Sequence, residues 1–208
     1  MNTAASTYYR AKASQSFESK LRLYLFKLAL EDQLEFDLEK FQALQISDET
    51  ALLTLYTNEY WQYEGDYLLQ GVKSIKVVHQ AVQELKSQLK AEIASAREAY
   101  IDNFESVFPR TQFDDLFAER DKAHCHYCDI SSAQIEQLAN EKKLNKKNER
   151  GWQLELDRKR PNEEYTPDNC VWACYWCNNA KSDEFTAKEF RGVGEAIKEV
   201  WRARGIEF

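Results

Sequence analysis

Proline and glycine are scarce in this chain of 208 residues, which contains three prolines and six glycines. So few helix-breaking residues favour a helix-rich globular protein over a disordered one. No apolar run approaches the roughly 18 residues that a transmembrane helix needs, and the N-terminal stretch lacks the apolar core of a secretion signal. We therefore expect a cytoplasmic protein, in which cysteines stay reduced or bind a metal.

The chain also has no excess of positive charge, since its formal net charge is −7 at pH 7. This balance argues mildly against nucleic acid as a partner, since phosphate binding needs positive charge somewhere. Basic residues are nevertheless concentrated between residues 142 and 160. Such a strip can follow a nucleic-acid backbone, although charge alone fits a solvated loop equally well. The strip consists of Lys142, Lys143, Lys146, Lys147, Arg150, Arg158, Lys159 and Arg160.

The N-terminal half, residues 1–109, contains no cysteine and has the apolar spacing of helices. Phe17, Leu21, Leu25 and Leu28 recur on one face of a predicted first helix. A second helix is predicted through LLTLYTNEYWQYEGDYLL, with Ser47 or Asp48 as its cap.

The clearest pattern in this half runs from Ser74 to about Phe108, where apolar residues recur at steps of three and four. It predicts a single helix of roughly 30 residues, ended by Pro109. Such a helix either packs against an antiparallel helix of the same chain or forms an interface with a second copy or another protein. We place the boundary between a helical domain, 1–109, and a second domain, 110–208, at its end.

Shorter elements are predicted in residues 110–208. Thr111 with Asp114 resembles a cap of one short helix, and Ser132 resembles the cap of another. Thr186 and Glu189 form a capping box that starts a last helix, which Gly205 ends. The apolar residues predicted to face a core from that helix are Phe190, Val193, Ile197, Val200 and Trp201.

Four of the five cysteines form two Cys-x-x-Cys pairs, Cys125 with Cys128 and Cys174 with Cys177. Each pair directs two thiolates at one ion, and two pairs complete the tetrahedral four-sulfur site that structural zinc prefers. A redox pair or unrelated buried thiols are the alternatives. Cys170 has no partner and is predicted to be a small buried hydrophobe.

The sequence LELDRKRPNEEYTPDNCVWACYWCNNAKSDEF, around the second pair, resembles the HNH (ββα-metal) endonucleases. The resemblance implies a mostly α-helical chain with a small α+β module, in which a hairpin and a helix enclose one catalytic metal ion. By the family pattern, Asp157 and Asn178 are metal ligands and Asn169 braces the hairpin loop. Lys181 matches a lysine that often follows the last ligand.

The chemistry of these residue types agrees with the resemblance. Mg²⁺ or Mn²⁺ prefers oxygen ligands and takes one or two from the protein, the rest coming from water and substrate phosphate. Asp157 and Asn178 supply two such oxygens. The resemblance implies DNA as substrate and partner, with the backbone held by basic side chains, namely Lys181, Lys159, Arg160, Lys146 and Lys147.

One position departs from the common family pattern. Most HNH nucleases follow the aspartate with a histidine that acts as general base, whereas this chain has Arg158, which stays charged and cannot accept a proton. An arginine here is suited to clamping the scissile phosphate. About residues 112–206 resemble an Asp-Arg subgroup that includes a restriction endonuclease and phage proteins. His124, His126, Tyr165, a carboxylate or metal-bound hydroxide are then the candidate bases, with His79 less suited.

Two functions remain open from the sequence. The first is a metal-dependent DNA endonuclease, as an effector subunit of a phage-defence or restriction system. The second is a weak or inactive HNH-derived zinc module that binds nucleic acid or a protein partner, and Arg158 in the place of the base favours it. In either case the N-terminal helices would form a homodimer or bind another protein.

Overall fold

The computed structural model describes residues 3–44, 75–144 and 150–208. The helix predicted over 52–69 and the predicted backbone contacts Lys146 and Lys147 lie outside these residues. The described parts are mostly helical with one two-stranded antiparallel sheet, which confirms the predicted fold class. None of the helices described is both long and apolar enough to cross a membrane.

The chain divides into two compact units, Met1–Val107 with Asn162–Glu164, and Phe108–Pro161 with Tyr165–Phe208. The first unit begins with helix α1, Thr3–Leu30. Its predicted apolar face is confirmed, because Phe17, Leu21, Leu25 and Leu28 are all buried. The short helix α2, Leu38–Ala43, follows and is capped by the side chain of Asp37.

The prediction of one continuous helix from Ser74 to Phe108 is wrong, because this segment forms two helices. Two helices, α3 at Ile75–Gln88 and α4 at Lys90–Asp102, are separated at Leu89, which has φ −96° and ψ 26°. Helical backbone bonds still enter and leave Leu89, so the break is a local distortion. A 3₁₀ turn at Phe104–Ser106 comes next.

Helix α1 packs antiparallel to α3 and α4. Residues early in α1 contact residues late in the helix pair, and the reverse holds at the other end. Phe26 lies against His79 with ring centroids 5.7 Å apart, Glu18 pairs with Lys86 at 3.6 Å, and Ser14 accepts a hydrogen bond from Arg97. The predicted antiparallel partner within the same chain is therefore confirmed.

The second unit contains helices α5 at Arg110–Ala118 and α6 at Ser132–Asn140, followed by strands β1 at Glu155–Arg158 and β2 at Cys170–Ala173. Two more helices complete it, α7 at Tyr175–Lys181 and α8 at Ala187–Ala203. A 3₁₀ turn at Arg120–Lys122 lies between α5 and the first cysteine.

The caps of these helices differ partly from prediction. Pro109 occupies the N-cap of α5, so Thr111 lies inside the helix and does not cap it. The cap of α6 is Ser131, and Gln134 completes a capping box with it. The predicted cap, Ser132, is instead the first residue of the helix. The capping box of Thr186 and Glu189 at the start of α8 is confirmed. Gly205 follows α8 with a φ of 89°, which is the left-handed conformation predicted for it.

Helix α8 packs on the second unit by only part of its predicted apolar face. Phe190 and Trp201 are buried, but Val193 and Val200 are each 46% exposed, so the prediction that both face a core is wrong. Gly194 is the point of closest approach, because a Cβ there would lie 2.6 Å from the carbonyl oxygen of Tyr127. The helix therefore lies directly against the first cysteine pair.

Candidate metal centre and active site

The four paired cysteines form one cluster. Their sulfur atoms all lie within 4.8 Å of one another, and all four side chains are buried. The Sγ atoms of Cys128 and Cys174 are 3.6 Å apart. This donor set and compactness fit a tetrahedral zinc ion. Cys170 is buried outside the cluster, as predicted.

Backbone hydrogen bonds shape the loop of the first pair. The amide of Cys125 donates to the carbonyl of Ile130 at 2.9 Å, and the amide of Asp129 donates to the carbonyl of Cys125 at 2.8 Å. Asp129 has a φ of 65°, which closes the turn. The amide of His126 donates to the carbonyl of Trp172 in β2 at 2.8 Å, so this loop is tied to the hairpin.

The second pair is built into the start of α7. Cys174 is its N-cap, with Sγ accepting from the amide of Cys177 at 3.5 Å. Hydrogen bonds from the other thiols lower the pKa of Cys125, whereas the same contacts raise the pKa of Cys177. A zinc ion bound by the four sulfurs would hold them in the thiolate form, since the thiolate is the metal ligand.

Asp157 lies buried on β1 beside the cluster. Its Oδ2 accepts a hydrogen bond of 2.6 Å from the hydroxyl of Tyr127 and pairs with Nζ of Lys181 at 3.4 Å. Burial raises the pKa of Asp157, while the Tyr127 bond and the Lys181 charge oppose that rise. Burial and the bond to Asp157 also raise the pKa of Tyr127, which keeps the phenol protonated as the donor.

Asn178 on α7 is oriented by Glu155. Its Nδ2 donates to Oε2 of Glu155 at 2.6 Å. The carboxylate is in turn held by the guanidinium of Arg150 through bonds of 3.0 and 2.7 Å. A carboxylate only accepts hydrogen bonds, so the NH₂ of Asn178 must face it and Oδ1 must point away.

Helix α7 covers one face of β1. Glu155 and Asp157 are two residues apart and so share a strand face, and Asn178 and Lys181 are three apart and so share a helix face. Asn178 contacts Glu155, and Lys181 contacts Asp157. Within the described residues, Oδ1 of Asp157 and Oδ1 of Asn178 have no side-chain partner.

Arg158 and Asn169, the other two residues predicted at the catalytic site, have different surroundings. Arg158 is 8% exposed, pairs with Asp183 at 3.2 Å and lies 4.9 Å from the ring centre of Tyr165. Asn169 is fully buried and bonds both backbone groups of Arg160, accepting from its amide at 2.9 Å and donating to its carbonyl at 3.1 Å. These two bonds tie Asn169, just before β2, to Arg160, just after β1.

Of the predicted contacts with the nucleic-acid backbone, Lys181 is the one that its burial contradicts. Lys181 is completely buried, so its ammonium compensates Asp157 and cannot reach a nucleic-acid backbone in this arrangement. Arg160 pairs with Asp168 at 3.5 Å. Lys159 is half-buried at the end of β1.

Three residues of the site were missed from the sequence: Tyr127, Glu155 and Asp183. Glu155 could have been predicted, because side chains two residues apart on a strand lie on the same face and Asp157 is already a site residue. No spacing connects Tyr127 with Asp157, because the turn of the cysteine loop brings them together across 30 positions. Of the candidate bases, His126 is exposed beside Tyr127, and Nδ1 of His124 lies 2.8 Å from the carbonyl of Asp129.

No protein-family model and no curated protein matches this chain. Among solved structures, it is similar to the rare-cutting HNH restriction endonuclease PacI, whose structure is described as exhibiting an extraordinary mechanism of DNA perturbation. The two are 35% identical over 52% of this chain and 77% of PacI, with a TM-score of 0.42.

Proposed function

This chain belongs to the HNH endonuclease family, and from that membership we propose that it hydrolyses phosphodiester bonds in DNA with one divalent metal ion. The observation that carries the proposal is a pair of oxygen atoms at the site that have no side-chain partner among the described residues. Asp157 uses Oδ2 for Tyr127 and Lys181, and Asn178 uses Nδ2 for Glu155. The Oδ1 atoms of these two side chains are the ligands we propose for a hard cation, which prefers oxygen.

The residues present fit Mg²⁺ or Mn²⁺ at Asp157 and Asn178. Bound there, the ion would offset the charge that develops on the scissile phosphate and its leaving oxygen. Tyr127 and Lys181 hold the carboxylate of Asp157, and Glu155 fixes the amide of Asn178. The site is thus organised by its own hydrogen bonds before substrate arrives.

In this proposal Arg158 binds the scissile phosphate. Its guanidinium is nearly buried and already pairs with Asp183, whose side chain is 60% exposed. An incoming phosphate replaces Asp183 as the partner of Arg158, with the planar donors engaging two phosphate oxygens. Arg158 binds and orients the phosphate, and the proton of the attacking water goes to another acceptor.

Zinc has a structural role in this proposal. A zinc ion held by the four sulfurs would fix the cysteine loop that carries Tyr127 to the helix that carries Asn178. A closed four-sulfur site has no open coordination position, so the zinc takes no part in hydrolysis.

The biological setting is the second part of the proposal. PacI is described as a restriction endonuclease, and we assign this chain a corresponding role in restriction or phage defence. The helices of residues 1–109 serve as the region that binds a second copy or another protein. Residues 110–208 form the HNH nuclease domain.

A second function has one specific observation in its favour. Arg158 stands where most family members have the histidine base, and in the structure it is engaged by Asp183 and Tyr165. An HNH-derived module that binds nucleic acid without cutting it would have such a site.

Cleavage of labelled duplex DNA, single-stranded DNA and RNA, each with Mg²⁺, with Mn²⁺ and without added metal, separates the two functions. The endonuclease predicts metal-dependent cleavage of duplex DNA that Asp157→Asn abolishes. Binding of duplex DNA without cleavage under any metal would instead establish the binding module.

A further inference from the structure

The N-terminal half of α8 carries two cations, Lys188 and Arg191, that are not in an ion pair with any residue that the structure describes. In the described parts of the chain, Lys188 and Arg191 form neither an ion pair nor a side-chain hydrogen bond. Farther along the same helix, Lys198 pairs with Asp129 at 3.0 Å and Arg202 pairs with Glu199. Cations left unpaired next to each other repel and are stabilised by a bound anion.

These two side chains line a cavity of about 420 Å³. Opposite them lies the loop of the first cysteine pair. The lining consists of His126, Tyr127, Ala187, Lys188, Arg191 and Glu195. Lys188 and Arg191 are three residues apart and therefore share one helix face. Glu195 lies one turn beyond Arg191, so the end of the cavity farthest from Lys188 is acidic.

The cavity adjoins the candidate active site through Tyr127. This residue lines the cavity, and its hydroxyl contacts Oδ2 of Asp157 at 2.6 Å. The start of α8 is also tied to the end of β1, because the amide of Ala187 donates to the carbonyl of Lys159 at 2.7 Å. Gly194 lets the helix approach the backbone of Tyr127 closely. The two cations are thereby held at a fixed place beside the site.

We propose that the groove between Tyr127 and the face of α8 that carries Lys188 and Arg191 binds the phosphodiester backbone of DNA next to the bond that is cut. This inference rests on the proposed function, since it assigns the backbone site that the endonuclease needs. Lys188 and Arg191 contact phosphate oxygens. Glu195 repels them and so limits how far the backbone extends along the helix.

The test is binding of a short fluorescein-labelled DNA duplex, followed by fluorescence anisotropy over a series of salt concentrations with magnesium omitted. We compare Lys188→Ala/Arg191→Ala with Lys198→Ala/Arg202→Ala, which removes the same charge from the same helix but from paired positions. Thermal unfolding confirms that both variants are folded.

Loss of the groove cations should weaken binding about tenfold and lower the salt slope by about 1 to 2, regardless of sequence. The paired-site control should keep the wild-type slope, and Glu195→Gln should bind more tightly than wild type. Equal losses in the two double variants, or an unchanged slope for Lys188→Ala/Arg191→Ala, would overturn the inference.

Cleavage assays on the same proteins keep this inference separate from the proposed function. If wild type binds through the groove but never cuts, the endonuclease proposal fails and the groove stands. If Lys188→Ala/Arg191→Ala binds and cuts like wild type, the groove is refuted and the endonuclease stands.

Discussion

The ammonium of Lys181 lies 3.4 Å from Oδ2 of Asp157, although the lysine side chain is completely excluded from solvent. A buried cation of this kind is stable only beside an anion that shares its environment. The pair spans from α7 to β1, and it lies one helical turn from Asn178. It therefore helps to fix the helix and the strand that carry the two proposed metal ligands.

Removal of Lys181 should be costly. We predict that Lys181→Met lowers the free energy of unfolding by about 3–5 kcal/mol, since Asp157 would be left as an uncompensated buried charge. The matched control is Lys188→Met, an exposed lysine, which should change stability by less than about 0.5 kcal/mol. Urea denaturation measures both values. Equal stability of the two variants would mean that the buried pair contributes nothing.

The zinc content should depend on four of the five cysteines. We expect about one zinc ion per chain in the wild type, with loss of the ion and of thermal stability in Cys174→Ser. Cys170→Ser removes a thiol that is also buried but lies outside the cluster, and it should retain zinc. Elemental analysis by mass spectrometry measures the content. Retention of zinc by Cys174→Ser would contradict the four-sulfur site.

Glu155 is predicted to act on hydrolysis through Asn178. Glu155→Leu removes the acceptor of the hydrogen bond from the Nδ2 of Asn178, and activity should fall about 10- to 100-fold as the orientation of Asn178 is lost. Arg150→Gln keeps the Glu155 to Asn178 bond and should lose much less. The readout is kcat at saturating DNA together with the Mn²⁺ concentration for half-maximal activity. Similar kcat values and metal requirements in both variants would exclude this positioning role.

Lys20 in the first unit gives a pH dependence that is independent of the metal sites. It is 7% exposed, donates to the carbonyl of Gln42 at 3.1 Å and lies 5.6 Å from the ring of Phe41. Burial lowers the pKa of Lys20 below its ordinary 10.5, with the charge of Glu164 opposing the effect. Burial of the charged ammonium lowers the free energy of unfolding. This destabilisation is fully present below the folded-state pKa of Lys20 and disappears as pH rises toward 10.5.

We therefore predict that wild type gains stability relative to Lys20→Met as pH increases through that window. Urea denaturation of both proteins at a series of pH values gives the difference in the free energy of unfolding. A difference that stays constant with pH would show that the pKa of Lys20 is the same in the folded and unfolded states.

The sequence was informative wherever a local pattern determines structure. The apolar face of α1, the capping box of Thr186 and Glu189, and the grouping of Cys125, Cys128, Cys174 and Cys177 all follow from short-range spacing. The break at Leu89 was not predicted, because its apolar periodicity continues through the distortion.

Contacts between distant segments were beyond the reach of such patterns. Lys181 looks like a surface lysine until the packing of α7 on β1 is known. The bonds of Tyr127 to Asp157 and of Asn178 to Glu155 likewise depend on how the cysteine loop and α7 meet the hairpin. Lys188 and Arg191 gave no signal either, because their proposed role depends on the cavity that they line with Tyr127.

The most direct test of the central claim is the initial rate of duplex DNA cleavage as a function of Mn²⁺ concentration for wild type, Asn178→Ala and Asn179→Ala. The two variants remove the same side chain from adjacent positions of α7, but the Nδ2 of Asn179 donates to the carbonyl of Tyr175 at the surface. We predict metal-dependent cleavage by wild type and Asn179→Ala, and none by Asn178→Ala. Cleavage by Asn178→Ala at the wild-type rate and metal requirement would contradict the account.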